Sequence, residues 1–133
     1  MLQGIRLEQF AVFEDAYQPD NRTNVITNLQ FRIDGDNRLI GVFPGFEFTQ
    51  EEKVFLKIEV SCHFKIRDES WNSFLAEDQL RVPKDFMAHL AMITVGTARG
   101  VLFSKTEGSP FSRFILPAIN VREMIPKDIV IEL

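Results

Sequence analysis

Between Val54 and Ile66 the chain alternates with a period of two. Val54, Leu56, Ile58, Val60, Cys62, Phe64 and Ile66 make one row; Phe55, Lys57, Glu59, Ser61, His63 and Lys65 make the other, mostly polar one. Successive side chains of a strand point to opposite faces, so the segment predicts an antiparallel strand covered on one side and wet on the other. Weaker alternations predict three strands before it. The first starts near Ile5 and runs to about Phe13, and the second covers Val25, Thr27, Leu29, Phe31 and Ile33. Gly35, Asp36 and Asn37 follow as a hairpin turn of residues that tolerate left-handed backbone. The third spans Leu39 to Thr49, where Pro44 removes a ladder donor and predicts a bulge or an edge position. Between the first two strands, Glu14 to Asn24 reads as a long exposed connection, and Gln50 to Lys53 as a charged turn.

The pattern then changes to a helical one with almost no polar face. Phe86, Leu90, Ile93, Thr97 and Val101 recur on one side, and Met87, Ala91, Val95, Ala98 and Leu102 fill much of the other. Pro83 suits the first turn, and Gly108 with Pro110 ends the run. A helix apolar on both sides needs two covers. The chain's own sheet supplies one, and a second copy of the chain is the expected other. Gly96 and Gly100, four apart, lie on one side and predict the close approach of an oligomer partner. A short helix is expected within Asp68 to Gln79, with Trp71, Phe74 and Leu75 as its apolar contacts. Ser109 to Ala118 reads as loop, Asn120 with Glu123 caps a final helix Val121 to Ile125, Pro126 stops it, and Asp128 to Leu133 is a β-like tail. The expectation is one α+β domain over residues 1–133: a four-stranded antiparallel sheet, one long helix packed on one face and a short C-terminal helix.

Composition sharpens this picture in two places. Thirteen Phe stand against one Tyr and one Trp, a choice of apolar area without a polar handle that suits a core or an apolar groove. A formal charge of −4 with no basic stripe argues against nucleic acid as partner. Cys62 is the only cysteine, so internal disulfides and cysteine-based zinc sites are excluded and a reducing, cytoplasmic compartment is expected. No export signal is read at the N-terminus, and no apolar run is expected to cross a bilayer.

Candidate chemistry is sparse. His63 and His89 have no metal-ligand spacing, and GTARG at Gly96 to Gly100 lies inside the helical pattern and lacks the lysine of a phosphate loop. Glu14 with Asp15 and Glu51 with Glu52 are neighbours on turns rather than a converging pair, and Cys62 falls on the apolar strand face. His63 is expected to be a solvated strand residue. No enzyme activity, metal or cofactor is expected.

Four antiparallel strands, a long connection after the first, a proline-started long helix and a capped short helix resemble the SecB family of export chaperones. QEEKVFLKIEVSCHFKI is similar to the family's turn between the third and fourth strands and its fourth strand, VPKDFMAHLAMITVGTARG to its long helix, and FILPAINVREMI to its Leu-(x)-Pro-x-Asn segment that opens the second helix. The resemblance implies a homotetramer, a dimer of dimers with its long helices sandwiched between two sheets. It also implies a chaperone (holdase) that binds unfolded or pre-secretory polypeptides in apolar grooves, with no ATP and no cofactor. The corresponding peptide-binding positions here are Tyr17 in the crossover and Phe111, Phe114, Ile115 and Leu116 after the long helix, with Trp71, Phe74 and Leu75 as a further wall. Family members dock the SecA translocation ATPase through acidic positions to which Glu14, Asp15 and Glu51 correspond.

The chain departs from the family in carrying VPKDFM where an aromatic-Pro-Tyr run is usual, and in ending on DIVIEL without an acidic or cationic tail. A SecB-like chaperone dedicated to another client, such as an antitoxin, has the same fold and groove. The rival from another class is a structural protein that uses the two-sided helix only to assemble. Exposed rings in the crossover and the C-terminal loop favour the chaperone; a convergence of carboxylate, histidine and cavity favours an enzyme.

Overall fold

The computed structural model describes residues 1–132. Strands β1 (Leu2–Val12), β2 (Asn24–Asp34), β3 (Leu39–Gln50) and β4 (Lys53–Lys65) form an antiparallel sheet in the order β1-β4-β3-β2. Helix α1 (Asp68–Phe74) leads into a hairpin of β5 (Leu75–Ala76) and β6 (Gln79–Val82), followed by the long helix α2 (Lys84–Thr106), the short helix α3 (Val121–Met124) and β7 (Ile129–Glu132). The fold is α+β, with α2 across one face of the sheet.

The row read from Leu56 to Phe64 is the inner row. Leu56 pairs with Phe48 and Val12, Ile58 with Phe46 and Phe10, and Cys62 with Val42 and Ile5, so three strands present apolar residues in register beneath α2. Cross-strand neighbours on one face are the stabilising unit of a sheet, and fully buried Ile40, Val42, Leu56, Ile58 and Val60 meet Met87, Ala91, Ala98 and Leu102 of α2 in one core. In β1, register shifts at Gln3 and at Glu8 each insert one residue. The bulge at Glu8 rotates the strand so that Phe10 and Val12 share the inner face with Leu7 and Ile5, which strict alternation forbids.

Three features differ from the sequence expectations. Strand β3 is central, not an edge: Pro44 pairs with Leu29 of β2, while the ladder to β4 skips Phe43 and Pro44 and resumes at Gly45 in the same register. In the β2–β3 turn the left-handed residue is Arg38 (φ 54°) rather than Gly35, Asp36 or Asn37, because the Asp34 carboxylate organises the turn. It accepts from the Asn37 side-chain amide at 2.8 Å and from the backbone N–H of Asp36 and Asn37 at 3.1 and 3.2 Å. Finally, β5, β6 and β7 form a second antiparallel sheet, in which buried Leu80 and Val82 pair with Ile131 and Ile129. The β-like tail is thus Ile129–Glu132, and Leu133 lies outside the described residues.

Helix α2 has 23 residues and a mean hydropathy of 1.4 over its most apolar stretch, so by length and composition it is long enough to cross a membrane, contrary to the expectation above. Here its inner side is packed on β3 and β4. Its start is capped from a distance: Pro83 occupies the N-cap with no side-chain bond, and Lys84 N–H donates to Asp128 Oδ1 at 2.9 Å. Buried Thr94 and Thr106 donate to the carbonyls of Leu90 and Leu102. On the outer side His89, Met92, Ile93, Gly96, Arg99, Gly100 and Phe103 are exposed. A Cβ at Gly96 or Gly100 meets nothing within 4 Å, so neither glycine is needed for contact inside the protomer.

Candidate functional site: an aromatic cluster beneath the crossover

The crossover after β1 is set down onto β4 by a bond from Phe13 N–H to the Phe55 carbonyl, at 2.8 Å. A 3-10 turn, Glu14–Ala16, then reverses the chain and delivers Tyr17. From the other side, α2 ends at Thr106, and Ser109 caps a second 3-10 turn, Pro110–Arg113, by accepting from Phe111 N–H at 3.1 Å while donating to the Thr106 carbonyl at 2.7 Å. Proline at the first position of that turn fixes its backbone and directs Phe111 inward.

These segments and the sheet bring five rings together. Tyr17 lies 5.0 Å from both Phe55 and Phe111 and meets Phe114 edge-on at 5.8 Å. Phe114 is 5.1 Å from Phe55 and 5.6 Å from Phe48, and the Arg113 guanidinium sits over its ring at 5.3 Å. Tilted and edge-on pairs at such distances each add about 0.5–1.5 kcal/mol beyond area burial. Phe55 is there because β4 is irregular: Phe48 pairs with Leu56 and Thr49 with Val54, leaving Phe55 as the extra residue. Alternation placed it on the wet face, and that local bulge is why it is fully buried instead.

Of the positions singled out in the sequence, Tyr17, Phe111 and Phe114 are brought together, but Phe111 is only 5% exposed and Tyr17 and Phe114 are half-buried. The rings fill one another's space, so they do not line an open groove as expected. Next to them Ile115 is 69% exposed, while Leu116 turns into the core. Phe13 at the head of the crossover is 51% exposed. Trp71 and Phe74 lie in the core at the other end of α2, with Phe74 5.1 Å from Phe86, and Leu75 is exposed beside them. A groove of about 430 Å³ runs between Leu2, Phe64 and Ile66 on one side and Phe86, Leu90 and Ile93 on the other, with no ring of Trp71 in its wall. Glu14, Asp15 and Glu51 are exposed, and Gln18 N–H, donating to Gln50 Oε1 at 2.8 Å, ties the crossover to the β3–β4 turn.

Two arrangements escaped the sequence. Gln50, the last residue of β3, is buried and hydrogen-bonded to the crossover. On the outer face of the sheet, Ser61 Oγ donates to Glu8 Oε1 at 2.7 Å and lies 2.9 Å from His63 Nε2, so His63 is half-buried and bonded rather than merely solvated. The same residue types serve acyl transfer, but here the serine proton goes to the carboxylate, the imidazole must donate to Oγ, and Ser61 is fully buried. That polarity holds the sheet face together and does not activate a nucleophile. Among the described residues no group of three or more His, Cys, Asp or Glu is placed to hold a metal ion.

No protein-family model matches the chain, and no curated protein matches it by sequence. Among solved structures it is similar to a SecB-like chaperone from Mycobacterium tuberculosis in complex with a peptide from an antitoxin, with 13% identity, a TM-score of 0.46 and 90% of each chain covered. It is also similar to a protein of unknown function from Streptococcus agalactiae, with 14% identity and a TM-score of 0.29, covering 90% of this chain and 99% of that one.

Proposed function

We propose that this chain is a SecB-like chaperone that holds unfolded polypeptides without nucleotide or metal, acting in the cytoplasm as a self-associated assembly. The observation that carries the reading is the aromatic cluster: rings from the crossover, the sheet and the segment after α2 converge under a thin covering beside exposed Phe13 and Ile115. An unfolded client offers apolar side chains and unpaired backbone, and a set of rings with little hydrogen-bonding demand binds such chains with little sequence preference. The exposed row Met92, Ile93 and Phe103 on α2, with Leu2, Ile5 and Leu7 on β1, is the surface a second copy covers in a dimer or tetramer. Pre-secretory clients and docking of the SecA ATPase through Glu14, Asp15 and Glu51 belong to the same proposal.

A narrower version, a chaperone dedicated to one client such as an antitoxin, is favoured by the closed state of the cluster, since only a segment that outcompetes Tyr17 gains entry. The test is suppression of aggregation of several unrelated unfolded proteins at micromolar concentration, with and without chelator. Protection of all of them, unchanged by chelator, supports the general holdase. Protection of none returns the chain to a structural role.

A further inference from the structure

The crossover is thinly attached. Among the described residues, the hydrogen bonds of residues 14–23 run within the crossover itself, such as Ala16 N–H to the Phe13 carbonyl and Asn21 N–H to the Gln18 carbonyl, or to one side chain of the body. That side chain is Gln50, which is 2% exposed. Its Oε1 accepts from Gln18 N–H at 2.8 Å, and its Nε2 donates to Thr23 Oγ1 at 3.1 Å and to the Asn21 carbonyl at 3.4 Å. A carboxamide has two N–H donors and an oxygen with two lone pairs, and both donors and one lone pair go to this segment. The remaining attachments are the Phe13 N–H bond to the Phe55 carbonyl at the head of the segment, half-buried Ala16 against the core, and the Tyr17 ring, seated on Phe55, Phe111 and Phe114.

We infer that Gln50 is a latch, and that the crossover it holds is a plug competing with client polypeptide for the aromatic cluster. This rests on the holdase reading. The inner rings of the cluster are covered: Phe48, Phe55 and Phe111 are buried beneath half-buried Tyr17 and Phe114, and none of the cluster's rings lines the cavities on the outer sheet face and along other parts of α2. A client reaches those rings only when Tyr17 leaves, so its apparent affinity is the intrinsic affinity multiplied by the fraction of protein with the crossover open. Whatever sets the closed population sets client affinity, and the Gln50 bonds are the part of that balance that does not touch the client. Gln50 is therefore a positioning residue.

The experiment compares the unmodified protein with Gln50→Leu, a change of similar volume that removes all three bonds, and with Thr23→Val, which removes one bond from the surface side and keeps the core intact should Gln50→Leu fail to fold. Two quantities are read: binding of a permanently unfolded, reduced and alkylated reference protein, and amide hydrogen exchange of residues 14–23. Loss of neutral hydrogen bonds that hold a two-state segment shut predicts roughly fivefold to tenfold tighter binding and comparably faster exchange for Gln50→Leu, with a smaller change in the same direction for Thr23→Val. Tightening with unchanged exchange in β3, β4 and α2 separates a latch from a structural role, since damage that exposes the core speeds exchange there as well. Faster exchange with unchanged affinity overturns the plug, and faster exchange with weaker binding makes the crossover a wall of the site. Unchanged exchange overturns the latch. If no variant, nor the unmodified protein, binds the reference protein, it is the holdase reading that fails.

Discussion

Replacing Phe103 by Ser tests the uncovered side of α2. Phe103 is 65% exposed in the last turn of the helix, so its ring contributes little to the protomer's own core. Serine and phenylalanine have similar helix propensities, and the folded protomer is expected to survive. A phenylalanine side chain offers about 200 Å² of surface, of which about 130 Å² remains for a partner at this exposure. Covering that area at about 25 cal/mol per Å² is worth about 3 kcal/mol per protomer if complete, or about half that if partial. A two-fold interface uses the residue twice, so the dissociation constant of a dimer rises by about a hundredfold to ten-thousandfold. Sedimentation velocity from nanomolar to micromolar concentration reads the shift directly, with circular dichroism as the check on folding. Identical dissociation for the variant and the unmodified protein, or a monodisperse monomer in both at high concentration, refutes the argument that a second copy covers this stripe.

Gly41→Ala places a methyl group 2.9 Å from Phe43 and 3.2 Å from His63 Nδ1, so overpacking is expected to destabilise the fold by about 1–3 kcal/mol, measured by urea unfolding. Asp34 is held below its ordinary value of 3.8, first by the Asn37 side-chain amide and then by the backbone N–H of Asn37, with the N–H of Asp36 and the Lys65 charge adding to the effect. The sign follows from a depressed folded-state value: the turn's contribution is present above the unfolded value and is lost as pH falls through the lower folded one. Asp34→Asn should therefore flatten the acid limb of stability below about pH 4; an unchanged acid limb contradicts it. Cys62 is fully buried, so alkylation in native buffer should proceed only at the rate of opening, measured by mass spectrometry, and fast labelling contradicts the burial.

Much of this architecture was legible because it follows from local periodicity. The row from Leu56 to Phe64 and the inner row of α2, Met87, Ala91, Ala98 and Leu102, are core in the structure for the reason they are periodic in the sequence: a strand or helix has one face to bury. The Asn120 cap is local too, with its side chain accepting from Glu123 N–H three residues on. Local rules failed where one inserted residue or one distant partner changed the outcome. Bulges at Glu8 and Phe55 shift the face of everything beyond them, and no period announces a bulge. Pro44 read as a bulge or edge signal because its pairing to β2 and the gap in the β4 ladder beside it exist only in the folded sheet.

The candidate site divides along the same line. By itself the sequence determined that rings would sit in the crossover and after α2, that α2 would be apolar on two sides, and that no metal-binding spacing was present. Only the tertiary structure decided that Tyr17, Phe55, Phe111 and Phe114 fill one cluster rather than line an open groove, that Gln50 reaches back to Gln18 and Thr23, and that Asp128 caps a helix beginning at Lys84. Each joins residues 27 or more apart in the chain. Such contacts depend on how whole elements dock, which is set by the sum of core packing and is written in no single stretch of sequence.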